Sequence, residues 1–566
     1  MPADFAPDER LLIKSDLPGT MQLFRVPPLE QVTEYDEPVA GRYVPGTERI
    51  LLERDEGGNE RIQLYLLNGE PKPLVVEPEF IHRSPTFSRD GSLLAYACNR
   101  RNGVDFDVYV RSLTTGAERC VFDLGSWCDP DGFSLDGRFL AVHRETDEAG
   151  VDELHVVDLT TGSVAQASAP GEQASYGTPV WLDDGSFLSA TNRGRDFSAV
   201  ARYDGRWEVV LERDWDVVCV GDRDGRLLVV ETNENGYSRL ELFDARTLTR
   251  RREVELPGRG VAQELRIAPG GRLLSFQFAS PIEPGDVWLC DTDVGELERL
   301  TGEPPPFDLV EPTLHRFPSF DGLEVPVYLY EPHASDGARP VVVSVHGGPE
   351  AQARPIFAPF LQYLVSRGYA VAVPNVRGST GYGRRYEHLD DVRLRLDSVL
   401  DLAALHDWLG GRPGIDAARA VLYGRSYGGF MVLAGLAYQP ERWAAGVEAV
   451  GISNLVTFLE NTSAWRRGVR EREYGSLAHD REFLEEISPL DHVEKIRAPL
   501  FIQHGANDPR VPVSESRQIH AALAARGVRC ELLVHDDEGH GIGKLENRIE
   551  TFELAAAFLD AVVGAA

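Results

Sequence analysis

The sequence predicts two domains of different class: an N-terminal seven-bladed β-propeller over residues 1–310 and a C-terminal α/β domain over residues 311–566. Three observations predict this. A strand-only unit recurs through the first half, seven times, at steps of 38, 45, 46, 48, 40 and 46 residues. A proline run, Thr301-Gly-Glu-Pro-Pro-Pro306, then breaks both helix and strand. After it, strands alternate with helices, which means a parallel sheet covered on both faces. At 566 residues the chain is too long for one ordinary core.

The repeat unit is an Asp/Gly-rich turn, an apolar strand, a second polar turn and an alternating strand. Ser88-Arg-Asp-Gly91 leads into Ser92 to Tyr96 and then Asp107 to Val110. The turns at Gly137, Gly185, Gly225 and Gly271 open equivalent units, and Asp8 and Gly46 open two weaker ones. A period of 40–50 residues built of short strands is the signature of propeller blades. The turn residues are turn chemistry and carry no catalytic constellation, so a role in substrate access is expected of this half. Asn99-Arg-Arg-Asn102 and Asn192-Arg-Gly-Arg195 are loops that either face a central chamber or are simply solvated.

Composition bounds the function. Hydrophobic residues make up 42% and charged residues 26%, as in soluble globular proteins. There is no apolar run long enough to span a bilayer, so no membrane partner is expected. The net charge of −32 argues against nucleic acid and anionic membranes. Met1 to Arg10 is acidic and lacks the apolar core of a signal peptide, so the cytoplasm is the expected location. Six cysteines, Cys98, Cys120, Cys128, Cys219, Cys290 and Cys530, form no C-x-x-C pair and none sits near a histidine at zinc spacing. They are expected to be reduced and mostly buried, although Cys120 and Cys128 could come close. No metal and no cofactor is expected.

In the second half, Glu324 to Tyr330, Pro340 to His346, Tyr369 to Asn375, Ala445 to Val450, Pro499 to Gly505 and Glu531 to Val534 read as strands. Residues 356–367, 392–409, 513–525 and 544–563 read as helices. Between them, Ala420 to Tyr423 reads as a buried strand, Gly424-Arg-Ser426-Tyr-Gly428 as a turn, and the apolar run from Gly428 as a helix. G-x-S-x-G between strand and helix is a nucleophile elbow, which makes the domain an α/β-hydrolase. The turn is so tight that the residues two before and two after the serine must lack bulk.

A serine needs a base, and the base an orienting acid. In this fold the chain order is Ser, Asp or Glu, His. Asp508 follows the strand ending at Gly505, and His540 follows the next strand; they lie 82 and 114 residues after Ser426. Asp536 and Asp537 share a loop with His540. His346 and His504 also lie at strand ends; His346 is expected to be structural, and His504 to sit too near Asp508 in sequence to pair with it. Ser379 is a rival serine without the elbow pattern. For the oxyanion, the candidates are the backbone N–H of Tyr427, just after the nucleophile, and that of Gly348 in His346-Gly-Gly-Pro349.

These motifs, with Asn507-Asp-Pro-Arg-Val-Pro512 and Glu538-Gly-His540, make the whole chain resemble the prolyl oligopeptidase family, in wording nearest its acylaminoacyl-peptidase branch. The resemblance implies a serine peptidase acting on short peptides, with the propeller restricting entry. It implies that Arg510 holds the substrate carbonyl or covers the site, and that Val511 and the segment from Phe458 to Trp465 line the pocket for the residue before the scissile bond. The alternatives are an aminopeptidase, amidase or esterase acting on small aminoacyl compounds, and a catalytically silent scaffold. Members of the family that remove dipeptides bind a free amino terminus with adjacent glutamates in the propeller. The only such pair here, Glu485-Glu486, is in the hydrolase half. Many members also carry an N-terminal helix; here the first repeat starts almost at Met1, which argues against an oligomer contact or gate made by that helix, and a homo-oligomer is otherwise an open expectation.

Overall fold

A computed structural model describes residues 1–303, 305, 307–333 and 337–564. Pro304 and Pro306 of the proline run lie outside the described residues, as do Ala565 and Ala566. The chain forms two compact units, one built on residues 1–56, 60–280 and 285–303 and the other on the remaining described residues.

Among the described residues the first unit contains seven four-stranded sheets, each made of four strands consecutive in the chain. These are the seven blades of a β-propeller. Pro2–Phe5, Leu11–Ser15, Gln22–Val26 and Glu30–Gln31 make the first, and Val261–Ile267, Leu273–Ser280, Glu283–Asp291 and Leu297–Arg299 the last. The recurrent Asp-Gly turn joins the first and second strands of a blade. Gly91 and Gly137 have φ of 71° and 72°, a region open to glycine at little cost, and each closes its turn by donating N–H to the carbonyl of Ser88 or Ser134 at 2.9 Å. Apolar side chains from adjoining blades meet between them, as where Leu228 and Val230 pack with Leu188 and Val200.

The arginine loops are tied up in local ion pairs. Arg100 meets Glu118 at 2.9 Å, Arg101 meets Asp107 at 2.8 Å, and Arg195 meets Glu212 at 2.7 Å. All six cysteines are free thiols; Cys98, Cys128, Cys219 and Cys290 are buried and Cys120 is exposed. The chain does bring one cysteine to a histidine: ligand atoms of Glu77, His82 and Cys98 lie within 4.8 Å of one another. Sequence spacing hides this cluster because its members come from different strands and loops. The Arg100 guanidinium occupies it, 3.2 Å from Glu77 and 3.5 Å from the Cys98 sulfur, and supplies positive charge there.

The second unit holds an eight-stranded sheet among the described residues. Its strands are β1 (Thr313–Pro318), β2 (Glu324–Tyr330), β3 (Arg339–Val345), β4 (Ala370–Pro374), β5 (Ile415–Arg425), β6 (Ala445–Ala449), β7 (Leu500–Gly505) and β8 (Cys530–His535), in the spatial order β1-β2-β4-β3-β5-β6-β7-β8. From β4 onward every neighbour is parallel. The β1–β2 and β2–β4 pairings are antiparallel, which corrects the expectation of a wholly parallel sheet. The β1–β2 pairing follows from the short Ser319-Phe-Asp-Gly-Leu323 turn, with Gly322 at φ 85°, which returns the chain as a hairpin where a helical crossover would have kept it parallel. Helices α1 (Pro359–Ser366), α2 (Arg395–Gly410), α3 (Tyr427–Tyr438), α4 (Leu455–Asn461), α5 (Ala464–Tyr474), α6 (Ser514–Ala525) and α7 (Leu545–Val562) accompany it. Apolar faces of α2, α3 and the strands share one core that includes Val343, Leu402, Leu422, Phe430 and Leu433.

Candidate active site

The elbow follows from close packing. Strand β5 ends at Arg425 and α3 begins at Tyr427, so Ser426 alone makes the turn, at φ 58° and ψ −119°. That left-handed conformation is strained for a residue with a Cβ and persists because its surroundings enforce it. A Cβ on Gly424 would come within 2.2 Å of the Gly428 carbonyl oxygen, and one on Gly428 within 2.2 Å of the Val345 carbonyl oxygen. Any side chain at either position would force the strand and helix apart. Ser426 N–H donates to the Ala449 carbonyl at 2.9 Å, which ties the turn to β6.

Asp508 lies in the turn after β7 and His540 in the loop after β8. Their side chains meet: His540 Nδ1 is 2.7 Å from Asp508 Oδ2. The other carboxylate oxygen, Oδ1, accepts the N–H groups of Arg510 at 2.8 Å and Val511 at 3.1 Å. Burial by itself would raise the Asp508 carboxyl, but hydrogen bonds from His504 and His540 outweigh it and hold the group well below the usual carboxylate range. Burial lowers the His540 imidazole from its ordinary value, and the Asp508 charge opposes that without reversing it. His540 is therefore neutral near pH 7. With Nδ1–H on the aspartate, Nε2 carries the free lone pair. Asp536 and Asp537 are exposed, and Asp537 pairs with Lys544 at 2.7 Å.

His504 packs against the same carboxylate without displacing His540 from it. Its Nε2 is 3.5 Å from Asp508 Oδ2, and it also bonds the Val511 carbonyl at 2.9 Å and the Ser516 hydroxyl at 2.7 Å. The tight turn after β7 folds the chain back over the strand end, so four residues of separation suffice for contact. Behind it, buried Glu448 is pushed up to about 7 by burial. His346 and Ser379 dispose of each other as rivals: His346 Nε2 is 2.8 Å from Ser379 Oγ, and Ser379 is fully buried.

A cavity of about 370 Å³ opens at Ser426. Its walls include Ser426, His540, Gly347, Gly348, Arg510, Val511 and Phe458, so most of the predicted site residues converge there. A Cβ on Gly347 would lie 3.5 Å from that of Ser426, which sets the His346–Pro349 loop against the Ser426 turn. Tyr427 opens α3, where backbone N–H groups have no acceptor inside the helix. Trp465 does not line the cavity; its ring lies 5.2 Å from the Arg466 guanidinium carbon. Helix phase explains this, since Arg466, Arg470 and Tyr474 share one face of α5 and project into the cavity, and Trp465 lies off it. Sequence reading missed this charged face; its signal is the i, i+4, i+8 spacing of those three residues. A larger cavity, about 660 Å³, lies in the propeller, but two of the arginines on its wall are ion-paired, Arg89 to Asp224 at 2.6 Å and Arg223 to Asp4 at 2.9 Å.

A buried ionic network braces the elbow from behind. The Tyr427 hydroxyl donates to Asp390 Oδ2 at 3.0 Å and lies 2.9 Å from the Ser398 hydroxyl. Asp390 also pairs with Arg395, which reaches Glu473 at 3.2 Å. Arg395 is 0% exposed, and Asp390 and Glu473 are each 1% exposed. Burial pushes Asp390 up to about 7 although Arg395 pulls it down. Replacing Arg395 by leucine strands two buried carboxyls, so Arg395→Leu is expected to destabilise this unit by about 3–5 kcal/mol. Urea unfolding followed by tryptophan fluorescence measures it; a loss under 1 kcal/mol would show that the network is dispensable.

Comparison with known proteins agrees with this architecture. The family described as "Prolyl oligopeptidase family" matches residues 356–566, and "Prolyl oligopeptidase, N-terminal beta-propeller domain" matches residues 107–302. Dipeptidyl aminopeptidase BIII of Pseudoxanthomonas mexicana is 26% identical over 563 residues, covering 92% of this chain and 79% of that protein. Acylamino-acid-releasing enzyme 1 of Oryza sativa subsp. japonica is 28% identical, covering 41% of this chain and 31% of that one. A crystal structure of a puromycin hydrolase superposes with a TM-score of 0.88 at 21% identity, covering 100% of this chain and 95% of that one.

Proposed function

The chain belongs to the prolyl oligopeptidase family of serine peptidases, and we propose that it cleaves short peptides near their N-terminus through an acyl-enzyme on Ser426. Ser426 Oγ attacks the scissile carbonyl and His540 Nε2 takes its proton. Asp508 holds the imidazole in the required tautomer and stabilises the imidazolium. The N–H groups of Tyr427 and Gly348 receive the oxyanion, and His540 then protonates the leaving amine. Water repeats the sequence on the ester. The observation that carries this reading is the convergence of a strained serine and an aspartate-bound histidine on one cavity.

Arg510, Val511 and Phe458 are assigned to substrate binding; the position of Trp465 outside the wall leaves it a supporting role. Residues 1–310 are assigned to controlling access and 311–566 to chemistry. The partner is a short peptide or an aminoacyl small molecule; the net charge of −32 disfavours nucleic acid. Among the described residues no helix is long and apolar enough to cross a membrane. We assign the protein to the cytoplasm, which cell fractionation tests.

An N-acylated amino terminus fits better than a free one, because no carboxylate is among the described residues lining the cavity to hold an ammonium group. The second reading, removal of dipeptides, is favoured by the relative that spans 92% of this chain and bears that name. A panel of acetyl-aminoacyl, free aminoacyl and dipeptidyl anilides, with a p-nitrophenyl ester beside them, separates the two. The acetylated substrates are expected to have the highest kcat/KM. Much faster turnover of free aminoacyl anilides removes the acyl preference, and a lead for the dipeptidyl anilides installs the second reading.

A further inference from the structure

Glycine stands on both sides of the base, in Gly539-His540-Gly541, so no neighbouring side chain braces it. Two contacts hold it. One is the Asp508 carboxylate, 2.7 Å from Nδ1. The other is on the main chain: the Arg425 guanidinium donates to the His540 carbonyl, which has no other donor among the described residues. A Cβ on Gly541 would lie 3.4 Å from the same guanidinium nitrogen, so the arginine lies along the base loop.

Arg425 is also the last residue of β5, directly before the nucleophile. Its own carbonyl oxygen would be 3.1 Å from a Cβ on Gly347, in the proposed oxyanion loop, and it lines the cavity at Ser426. One residue therefore adjoins nucleophile, base and oxyanion loop, and the catalytic reading gives it no part.

We propose that Arg425 is a positioning residue for the base: its bond to the His540 carbonyl ties the base loop to the elbow and fixes the spacing between Ser426 and His540. The inference rests on the catalytic reading above and adds to it a residue that acts through His540. The base takes a proton from Ser426 Oγ and later gives one to the leaving amine. Both transfers need heavy atoms within about 2.6–3.2 Å, and a misplacement of about 1 Å can cost roughly 100-fold in rate. A charged donor on the carbonyl makes a stronger tether than a neutral one.

The same guanidinium puts positive charge beside the imidazole. Burial lowers the His540 pKa, the Asp508 hydrogen bond and charge raise it, and the Arg425 and Arg510 charges lower it again. The remaining ionisable neighbours are committed elsewhere. Glu538 accepts the N–H groups of Gly543 at 2.8 Å and Lys544 at 3.0 Å, Asp537 pairs with the Lys544 side chain at 2.7 Å, and His504 reaches Asp508 from β7 at 3.5 Å. Removing the Arg425 charge therefore raises His540. The base must be neutral, so activity is then lost at a higher pH on the acid side.

The test is a set of three variants assayed on a peptide anilide, with folding checked by thermal melting. Arg425→Met keeps the apolar stem and removes both donor and charge. It is expected to lower kcat by roughly 10–100-fold with KM nearly unchanged, and to move the acid limb of kcat/KM to higher pH. Arg425→Lys keeps a charge and a donor, and is expected to recover most of kcat and leave the limb in place. Arg425→Gln keeps a donor alone, so kcat falls less than in the methionine variant and the limb still moves up; it also decides the matter if the methionine variant does not fold. The proposal is overturned by a kcat within twofold of the parent in Arg425→Met and Arg425→Gln, or by equal losses in the methionine and lysine variants. A loss carried by KM overturns it as well, because Arg425 would then bind substrate, and so does a limb that stays or moves down. Fluorophosphonate labelling of the parent enzyme keeps the two levels apart. A labelled parent whose Arg425 variants behave like it refutes the tether alone, and a parent that does not label refutes the catalytic reading itself.

Discussion

Ser426→Ala is expected to lower kcat on a peptide anilide by roughly 10⁶-fold and to abolish fluorophosphonate labelling, while far-UV circular dichroism stays that of the folded chain. The size of the effect follows from the way nucleophile and base act as one unit. His540 Nε2 has a function only if a hydroxyl proton is presented to it, and the hydroxyl is a poor nucleophile without that base. His540→Ala is therefore expected to match Ser426→Ala, and the double variant to be no worse than either alone. What survives is the contribution of substrate binding and of the proposed oxyanion donors, the Tyr427 and Gly348 N–H groups, which are backbone and persist whatever the side chain at 426. Peptidase activity above about 1% of the parent, or a second labelled serine, would move the nucleophile elsewhere. Ser379 is a poor refuge for it, buried and bonded to His346 at 2.8 Å and to the Val376 carbonyl at 2.6 Å.

How much of this could be read before the structure depends on whether the constraint is local. The elbow is legible because its geometry demands particular residues at particular offsets: Gly424 and Gly428 are required by contacts at 2.2 Å, and any other residue would show as a broken motif. Blade turns are legible for the same reason, since positive φ at Gly91 or Gly137 writes itself into the sequence. Asp508 and His540 could be placed by chain order alone. Contacts made by folding distant or oddly turned segments together leave no such mark. The β1–β2 hairpin was hidden because a Ser-Phe-Asp-Gly-Leu turn looks like any loop before a parallel strand. The approach of His504 to within 3.5 Å of Asp508 leaves no such mark, since a turn at a strand end decides it. The charged face of α5 leaves no such mark, because in sequence its arginines simply follow the aromatic Phe458–Trp465 segment. Phase about the helix axis, which puts Arg466 and Arg470 on the cavity wall and leaves Trp465 off it, decides the matter.

Asp508→Asn is expected to lower kcat by roughly 10⁴-fold with little change in KM, an effect of tautomer more than of charge. The turn after β7 dictates how an amide would sit. Oδ1 accepts two backbone N–H groups, from Arg510 at 2.8 Å and Val511 at 3.1 Å, so the amide oxygen must take that position. The amide NH₂ then replaces Oδ2, the atom that His540 Nδ1 meets at 2.7 Å. Two donors cannot face each other. Nδ1 gives up its proton, the proton resides on Nε2, and the nitrogen proposed to take the serine proton no longer has a lone pair to accept with. The pH profile carries a second signature with a definite sign. Burial lowers the His540 pKa from its ordinary value and the Asp508 hydrogen bond and charge raise it, so removing the charge lets burial act with less opposition. Because the base must be neutral, activity falls as pH drops through that pKa, and the acid limb of kcat/KM moves to lower pH in the variant. A limb that moves upward, or a loss of only tenfold, would mean that His504 or another group orients His540 and that Asp508 is a bystander at the turn.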